Sequence, residues 1–211
     1  MKKFFLIIAA VALLAIIAAR KDKNIRTVRI GDQVWMQNNL DINTFRNGDL
    51  IIEITTEEEW IDAGANRLPA WCYFENNPKN GKKYGRLYNW YAVTDPRGLA
   101  PEGFKVPTEA DWKQLALHIG GANTAGTKLK SKRGWLEKGN GTNESNFKGL
   151  PGGNRNADGT FYFLGEYAFW WTSTGVGQRS ARHVNLKNYT DDITFDGAYQ
   201  RTGFSVRCIK E

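Results

Sequence analysis

His118 and His183, with Cys72 and Cys208, are the chain's whole stock of imidazole and thiol ligands. Protein zinc sites take about three or four such ligands in one place, so two distant histidines do not make a metal centre. His118 falls beside the apolar stripe of a helix and reads as structural. His183 falls in a strand next to Arg182. A nucleophile triad needs a Ser or Cys, a His and an acid held together. Ser173 or Ser205 with His183 and Asp191 supplies the residue types, but nothing in their spacing brings them together, and no Gly-x-Ser-x-Gly stretch is present. Carboxylate pairs suit glycoside hydrolysis. Glu57-Glu58-Glu59 instead reads as the acidic first turn of a helix, and Asp191-Asp192 as a turn. Leu150-Pro-Gly-Gly153 lacks the Lys-Ser/Thr ending of a phosphate loop and reads as a tight turn that needs glycine. Hard oxygens gather twice, at Asn143, Glu144 and Asn146, and at Asp191, Asp192 and Asp196. Calcium takes roughly six to eight oxygens, so each set is incomplete and reads as polar loop residues closing turns. The expectation is no cofactor, with calcium unsupported.

What remains is binding chemistry. The stretch from Gly139 to Trp171 is crowded with glycine, asparagine and rings. Indole and phenol faces stack on sugar faces, and loops on a rigid scaffold are where such surfaces are usually built. The candidate ligand-binding residues are Asn143, Glu144, Asn146, Arg155, Tyr162, Trp170 and Trp171.

The elements that must position them can be read in outline. Thr27 to Met36 is a hairpin turning at Gly31-Asp32. Thr55 to Trp60 begins a helix that Gly64 stops, and Ala70 to Phe74 is a strand. After Pro107, Thr108 and Asp111 form a capping-box pattern. Trp112, Leu115, Ala116 and Ile119 then share one helical face, and Gly120-Gly121 ends the helix. A second helix is expected from Thr124 to Lys132. Beyond Gly134 the helical period disappears. Phe169 to Thr174, Arg182 to Leu186, Asp192 to Phe195 and Phe204 to Ile209 read as strands. The order of strand, helices, then strands predicts an α+β arrangement.

Eight Trp, eight Tyr and eleven Phe among 211 residues supply an ample apolar core. Residues 1–19 join a basic start to an unbroken apolar run from Phe4 to Ala19, and Arg20-Lys-Asp-Lys23 closes it. That is the layout of an export signal or an N-terminal membrane anchor; residues 20–25 read as a linker and 26–211 as the folded domain. The location expected is exported: periplasm, outer surface or secreted. The formal net charge is +7, and its one dense cluster, Lys128 to Arg133, reads as a solvated face, so no nucleic-acid partner is expected. An even cysteine count in an exported chain predicts a Cys72–Cys208 disulfide. Two separately buried thiols are the alternative.

Five segments carry a family resemblance: Ile30-Gly-Asp-Gln-Val-Trp-Met36, Tyr84-Gly-Arg-Leu-Tyr-Asn-Trp-Tyr-Ala-Val93, Gly103-Phe-Lys-Val-Pro-Thr-Glu-Ala-Asp-Trp112, Thr142-Asn-Glu-Ser-Asn-Phe147 with Leu150-Pro-Gly-Gly153, and Gly203-Phe-Ser-Val-Arg-Cys208. Together they closely resemble the Fibrobacter succinogenes major paralogous domain family over roughly Val28 to Lys210. The resemblance implies secreted or surface proteins of Gram-negative bacteria, mostly Bacteroidetes and Fibrobacteres, with no established activity. Many members carry a lipoprotein cysteine, which the leader here lacks. More distantly, Val106-Pro-Thr-Glu-Ala-Asp-Trp112 resembles a helix start of the formylglycine-generating enzymes. That likeness implies a C-type-lectin-like fold: two main helices beside a twisted antiparallel sheet, the N-terminal hairpin next to the last strand, and long loops between. Those enzymes bind copper through paired cysteines in the C-terminal part of the fold, where this chain has Cys208 alone. The Glu-Pro-Asn, Gln-Pro-Asp and Trp-Asn-Asp signatures of sugar-binding C-type lectins are also missing.

The function expected is a non-enzymatic exported module that binds a glycan or a surface protein through its loop face, and touches membrane only through its N-terminal segment. A hydrolase of surface carbohydrate or peptide and a purely structural envelope protein are the alternatives.

Overall fold

A computed structural model describes residues 25–211. The leader and most of the linker lie outside the described residues. Strand β1 (Thr27–Ile30) turns through Gly31-Asp32 into β2 (Gln33–Met36), with Ile30 opposite Gln33. Gly31 has φ +59°, and a Cβ there would lie 2.7 Å from Nδ1 of His118, so the turn needs glycine for its conformation and for the ring above it. His118 is exposed and closes that corner.

Helix α1 (Glu57–Ala65) starts where its acids should be. Thr56 Oγ1 accepts the Glu59 amide and donates to the Glu59 carboxylate. Short pieces follow: β3 (Ile52–Glu53) before α1, then β4 (Ala70–Cys72), α2 (Pro78–Tyr84), β5 (Leu87–Tyr88), α3 (Trp90–Val93) and β6 (Phe104–Lys105). Helix α4 (Glu109–His118) carries the full capping box of Thr108 and Asp111 and buries Trp112, Leu115 and Ala116. Helix α5 (Ala122–Leu129) packs beside it, starting two residues earlier than the sequence pattern indicates.

The C-terminal half is strand: β7 (Gly152–Arg155), β8 (Phe161–Leu164), β9 (Tyr167–Val176), β10 (Ser180–Lys187), β11 (Thr194–Tyr199) and β12 (Ile209–Lys210). The main sheet has the order β11-β10-β9-β7-β8 and is antiparallel except where β7 meets β9. A second sheet, β1-β2-β12-β6, places the N-terminal hairpin against the last strand, and a third joins β3, β4 and β5. The expected strand from Phe204 to Ile209 is regular strand only at its end. Gly203, Phe204 and Ser205 make isolated bridges to Arg155, Tyr88 and Trp170 instead. The architecture is mixed, mostly strands with a few helices. Among the described residues no helix is long and apolar enough to cross a membrane.

Strand β9 is the centre of the packing. Trp170 faces a cluster with Trp35, Trp112 and Phe147, while Trp171 faces another with Tyr88, Phe204 and Cys208. Successive residues of a strand point to opposite faces, so both indoles are buried only because both faces of β9 are covered.

The expected disulfide does not form. Cys72 and Cys208 are both free thiols and both buried. Cys72 lies on β4 in the third sheet, within the cluster of Ile54, Trp60 and Phe74; Cys208 belongs to the cluster around Trp171. Each thiol fills its own apolar site as a small hydrophobe, and burial pushes both pKa values up to about 12.

Candidate functional site

The structure places each of the side chains weighed for a triad or a metal site. His183 lies inside β10 between Phe169 and Phe204, with ring centroids 5.8 and 4.8 Å away. Burial lowers its pKa to about 4, partly opposed by the charge of Asp196 and reinforced by Arg182. Among the described residues its Nδ1 has no hydrogen-bond partner. Asp191 accepts from Thr127 Oγ1 and Ser205 Oγ from Asn39 Nδ2, so neither is committed to that imidazole. Among the described residues no group of three or more His, Cys, Asp or Glu could hold a metal ion. Asn143 Oδ1 accepts the Lys148 amide at 2.7 Å, and the Asn146 carbonyl accepts from Gln37. Those oxygens shape a turn in which Asn143, Asn146 and Lys148 all have positive φ.

The nominated binding residues separate into three groups. Trp170, Trp171 and Arg155 lie in the interior. Trp170 Nε1 donates to Asn39 Oδ1 and Trp171 Nε1 to the Tyr88 carbonyl, both at 2.8 Å. Their nomination as ligand-binding residues is therefore corrected: they belong to strands with covered faces, and their polar atoms are bonded inside the fold. Asn143, Glu144 and Asn146 share a loop, with Glu144 and Asn146 exposed and Asn143 half-buried. Tyr162 stands apart on β8 and is 45% exposed.

Tyr162 is not isolated there. Phe163, 43% exposed, has its centroid 5.8 Å from Tyr162 and 4.7 Å from Tyr167 at the start of β9. Tyr189, 65% exposed just after β10, lies 6.1 Å from Tyr167, and the two phenol oxygens share a hydrogen bond of 2.8 Å. That bond, with smaller contributions from burial and nearby negative charge, pushes the Tyr167 pKa up to about 12. The result is a row of four rings where β8, the start of β9 and the end of β10 come together.

Local sequence explains the row. Gly153 on β7 has φ +63°, and a Cβ there would sit 2.5 Å from the Tyr162 carbonyl, so only glycine lets β8 lie this close. Phe163 adopts φ +65° near the end of β8, just before the Gly165-Glu166 turn, and its carbonyl accepts the Glu166 amide. Positive φ is uncommon for a bulky residue; here it coincides with the turn that holds the ring beside Tyr167. Tyr167 stacks on Phe169 at 5.4 Å and 12°, and Phe169 on Phe204 at 4.8 Å and 11°. The row is thus anchored through Phe169 to the core. Sequence reading nominated Tyr162 but missed Phe163, Tyr167 and Tyr189. The Phe161-Tyr-Phe163 triplet was the available signal for the first; Tyr189 is far from it in sequence and carries none.

The family model of the Fibrobacter succinogenes major domain matches residues 28–210, and the chain belongs to that family. No curated protein and no solved structure matches it.

Proposed function

We propose that this Fibrobacter succinogenes major domain protein is a non-enzymatic module of the cell exterior that holds a glycan against the rings of Tyr162, Phe163, Tyr167 and Tyr189. The observation that carries the reading is the exposed ring row itself. Three large aromatics stand 43% or more exposed within one contiguous set. Contiguous exposed apolar surface of this kind marks interaction sites, and rigid aromatic anchors are the usual source of binding energy. A C-type-lectin-like reading of the fold is supported by the hairpin β1–β2 lying beside β12 and by α4 packing on α5. Export through residues 1–19 would bring the row to surface polysaccharide.

The test is a glycan array with the full chain, followed by titration of the best ligand into Tyr162→Ala and Tyr189→Ala. Weakening by about 1–3 kcal/mol per ring with unchanged thermal unfolding is expected. Equal binding by the wild type and both variants would remove the row from the site.

A further inference from the structure

A second feature lies away from the ring row. The segment Gln37–Asp41, the end of α2 and the loops at 131–133 and 143–150 enclose a cleft of about 490 Å³. Lys82, Lys83, Lys132, Arg133 and Lys148 line it, all exposed, and none forms an ion pair among the described residues. The acid at its edge, Asp41, is held by Arg86 at 2.9 Å. Exposed lysines alone would mean little, because Lys82 and Lys83 also complement the dipole at the end of α2.

Arg207 is the independent observation. It lines the same cleft yet is buried, with no carboxylate within ion-pair distance among the described residues. Its Nε and Nη2 both donate to Asn39 Oδ1, at 3.0 and 2.6 Å, and its Nη1 donates to the Phe147 carbonyl. Asn39 Oδ1 also takes the Trp170 indole N–H, so one neutral oxygen serves three donors. The guanidinium packs over Phe147 at 4.1 Å and Trp170 at 5.5 Å. Guanidinium has five N–H donors, and these bonds use three, leaving one on each Nη. Burial lowers the pKa to about 9, so the group stays cationic at neutral pH. A buried charge ordinarily has a partner of opposite sign. Here neutral acceptors and rings stand in for one, on the floor of an open basic cleft.

We propose that this cleft binds the carboxylate of an acidic sugar, with Arg207 as the buried cation beneath it and the lysines around it. Arginine is the side chain best shaped for a carboxylate, because its paired N–H groups match the two oxygens. Asn38 and Asn143 line the same cleft. Asn143 Oδ1 is taken by the Lys148 amide, which leaves its NH2 to donate, while the Asn38 amide can both donate and accept; that combination suits sugar hydroxyls better than a bare oxyanion. The volume lies in the range of about 300–1,000 Å³ typical of small-molecule sites.

The test titrates glucuronate, glucose and inorganic phosphate separately into the full chain, then repeats glucuronate with three variants. The wild type is expected to bind glucuronate at least tenfold tighter than either glucose or phosphate. Combined Lys83→Ala, Lys132→Ala and Lys148→Ala, all at exposed positions, should weaken it at least tenfold with an unchanged circular dichroism spectrum. Arg207→Met should abolish it; if that variant misfolds, the lysine variant decides. Tyr189→Ala should bind glucuronate as the wild type does. Equal affinity for glucose and glucuronate would overturn the proposal, and so would an undisturbed lysine variant. Phosphate binding as tightly as glucuronate would overturn the sugar assignment, leaving only a general oxyanion site. A loss in Tyr189→Ala as large as in the lysine variant would overturn a separate cleft site.

Discussion

Arg155 and Arg207 are the same side chain under the same handicap. Each is a buried guanidinium, 0% and 1% exposed, with no carboxylate partner among the described residues. Their surroundings differ. All three nitrogens of Arg155 donate to main-chain carbonyls, of Gly159 at 2.9 Å, Ile54 at 2.7 Å and Thr56 at 2.6 Å. Its plane packs against Trp60 and Phe161. It ties the start of α1 to the β7–β8 turn, working as a structural strap. Arg207 has one carbonyl and one overloaded amide oxygen, and it faces a cleft. Burial of a charge therefore does not mark a site. Each guanidinium uses three of its five N–H donors, and what sets Arg207 apart is the cleft it lines.

The largest expected effect probes the strap. Arg155→Ala leaves the Ile54, Thr56 and Gly159 carbonyls without their donor and opens a gap beside Trp60. A loss of about 3–5 kcal/mol in urea unfolding is expected, in line with breaking a buried charged network. Arg155→Lys should recover little, because a point charge cannot span three carbonyls. A loss below about 1 kcal/mol would erase the distinction between the two arginines.

His183 measures what an uncompensated buried cation costs in this core. In the unfolded chain it takes up a proton near its ordinary 6.5; in the folded chain burial delays that until about 4. The unfolded state therefore binds more protons between those values, and stability falls as pH drops through that window, by up to about 3 kcal/mol. Urea midpoints followed from pH 7 to pH 4 should show this limb, and His183→Phe should flatten it.

Arg207→Met comes next, at about 1–3 kcal/mol of stability. Water in the cleft can satisfy Asn39 and the Phe147 carbonyl once the guanidinium has gone. A cost as large as that of Arg155→Ala would make Arg207 a second strap and weaken the case for the cleft. The smallest effect belongs to the surface. Tyr189→Ala should leave stability within about 0.5 kcal/mol of wild type in the same unfolding assay.

Legibility in the sequence followed the range of the interactions. The β1–β2 turn, the first-turn acids of α1 and the capping box of α4 were all readable, because each is settled within a few residues of chain. The family was readable from long contiguous motifs. Strands β7 and β8 were not. Gly152–Arg155 is glycine-rich and looks like a loop, and it becomes a strand because β8 on one side and Ala168 of β9 on the other supply its partners. Trp170 and Trp171 were nominated as ligand residues because they close the ring- and asparagine-rich stretch from Gly139 and indole faces stack on sugars. The missing fact was that both faces of β9 are covered. An unbroken apolar run such as Phe169-Trp-Trp is the pattern expected of such a strand.

By itself the sequence determined the local chemistry: where helices cap, where the chain turns, and which family the chain joins. The tertiary structure decided what each scarce side chain is used for. It put Cys72 and Cys208 into different cores, sent one buried arginine to carbonyls and the other to a cleft, and gathered Tyr162, Phe163, Tyr167 and Tyr189 into one row. Those outcomes depend on contacts between residues as far apart as Asn39 and Arg207. Such contacts join segments far apart in the chain, and no local pattern along it says which segments meet.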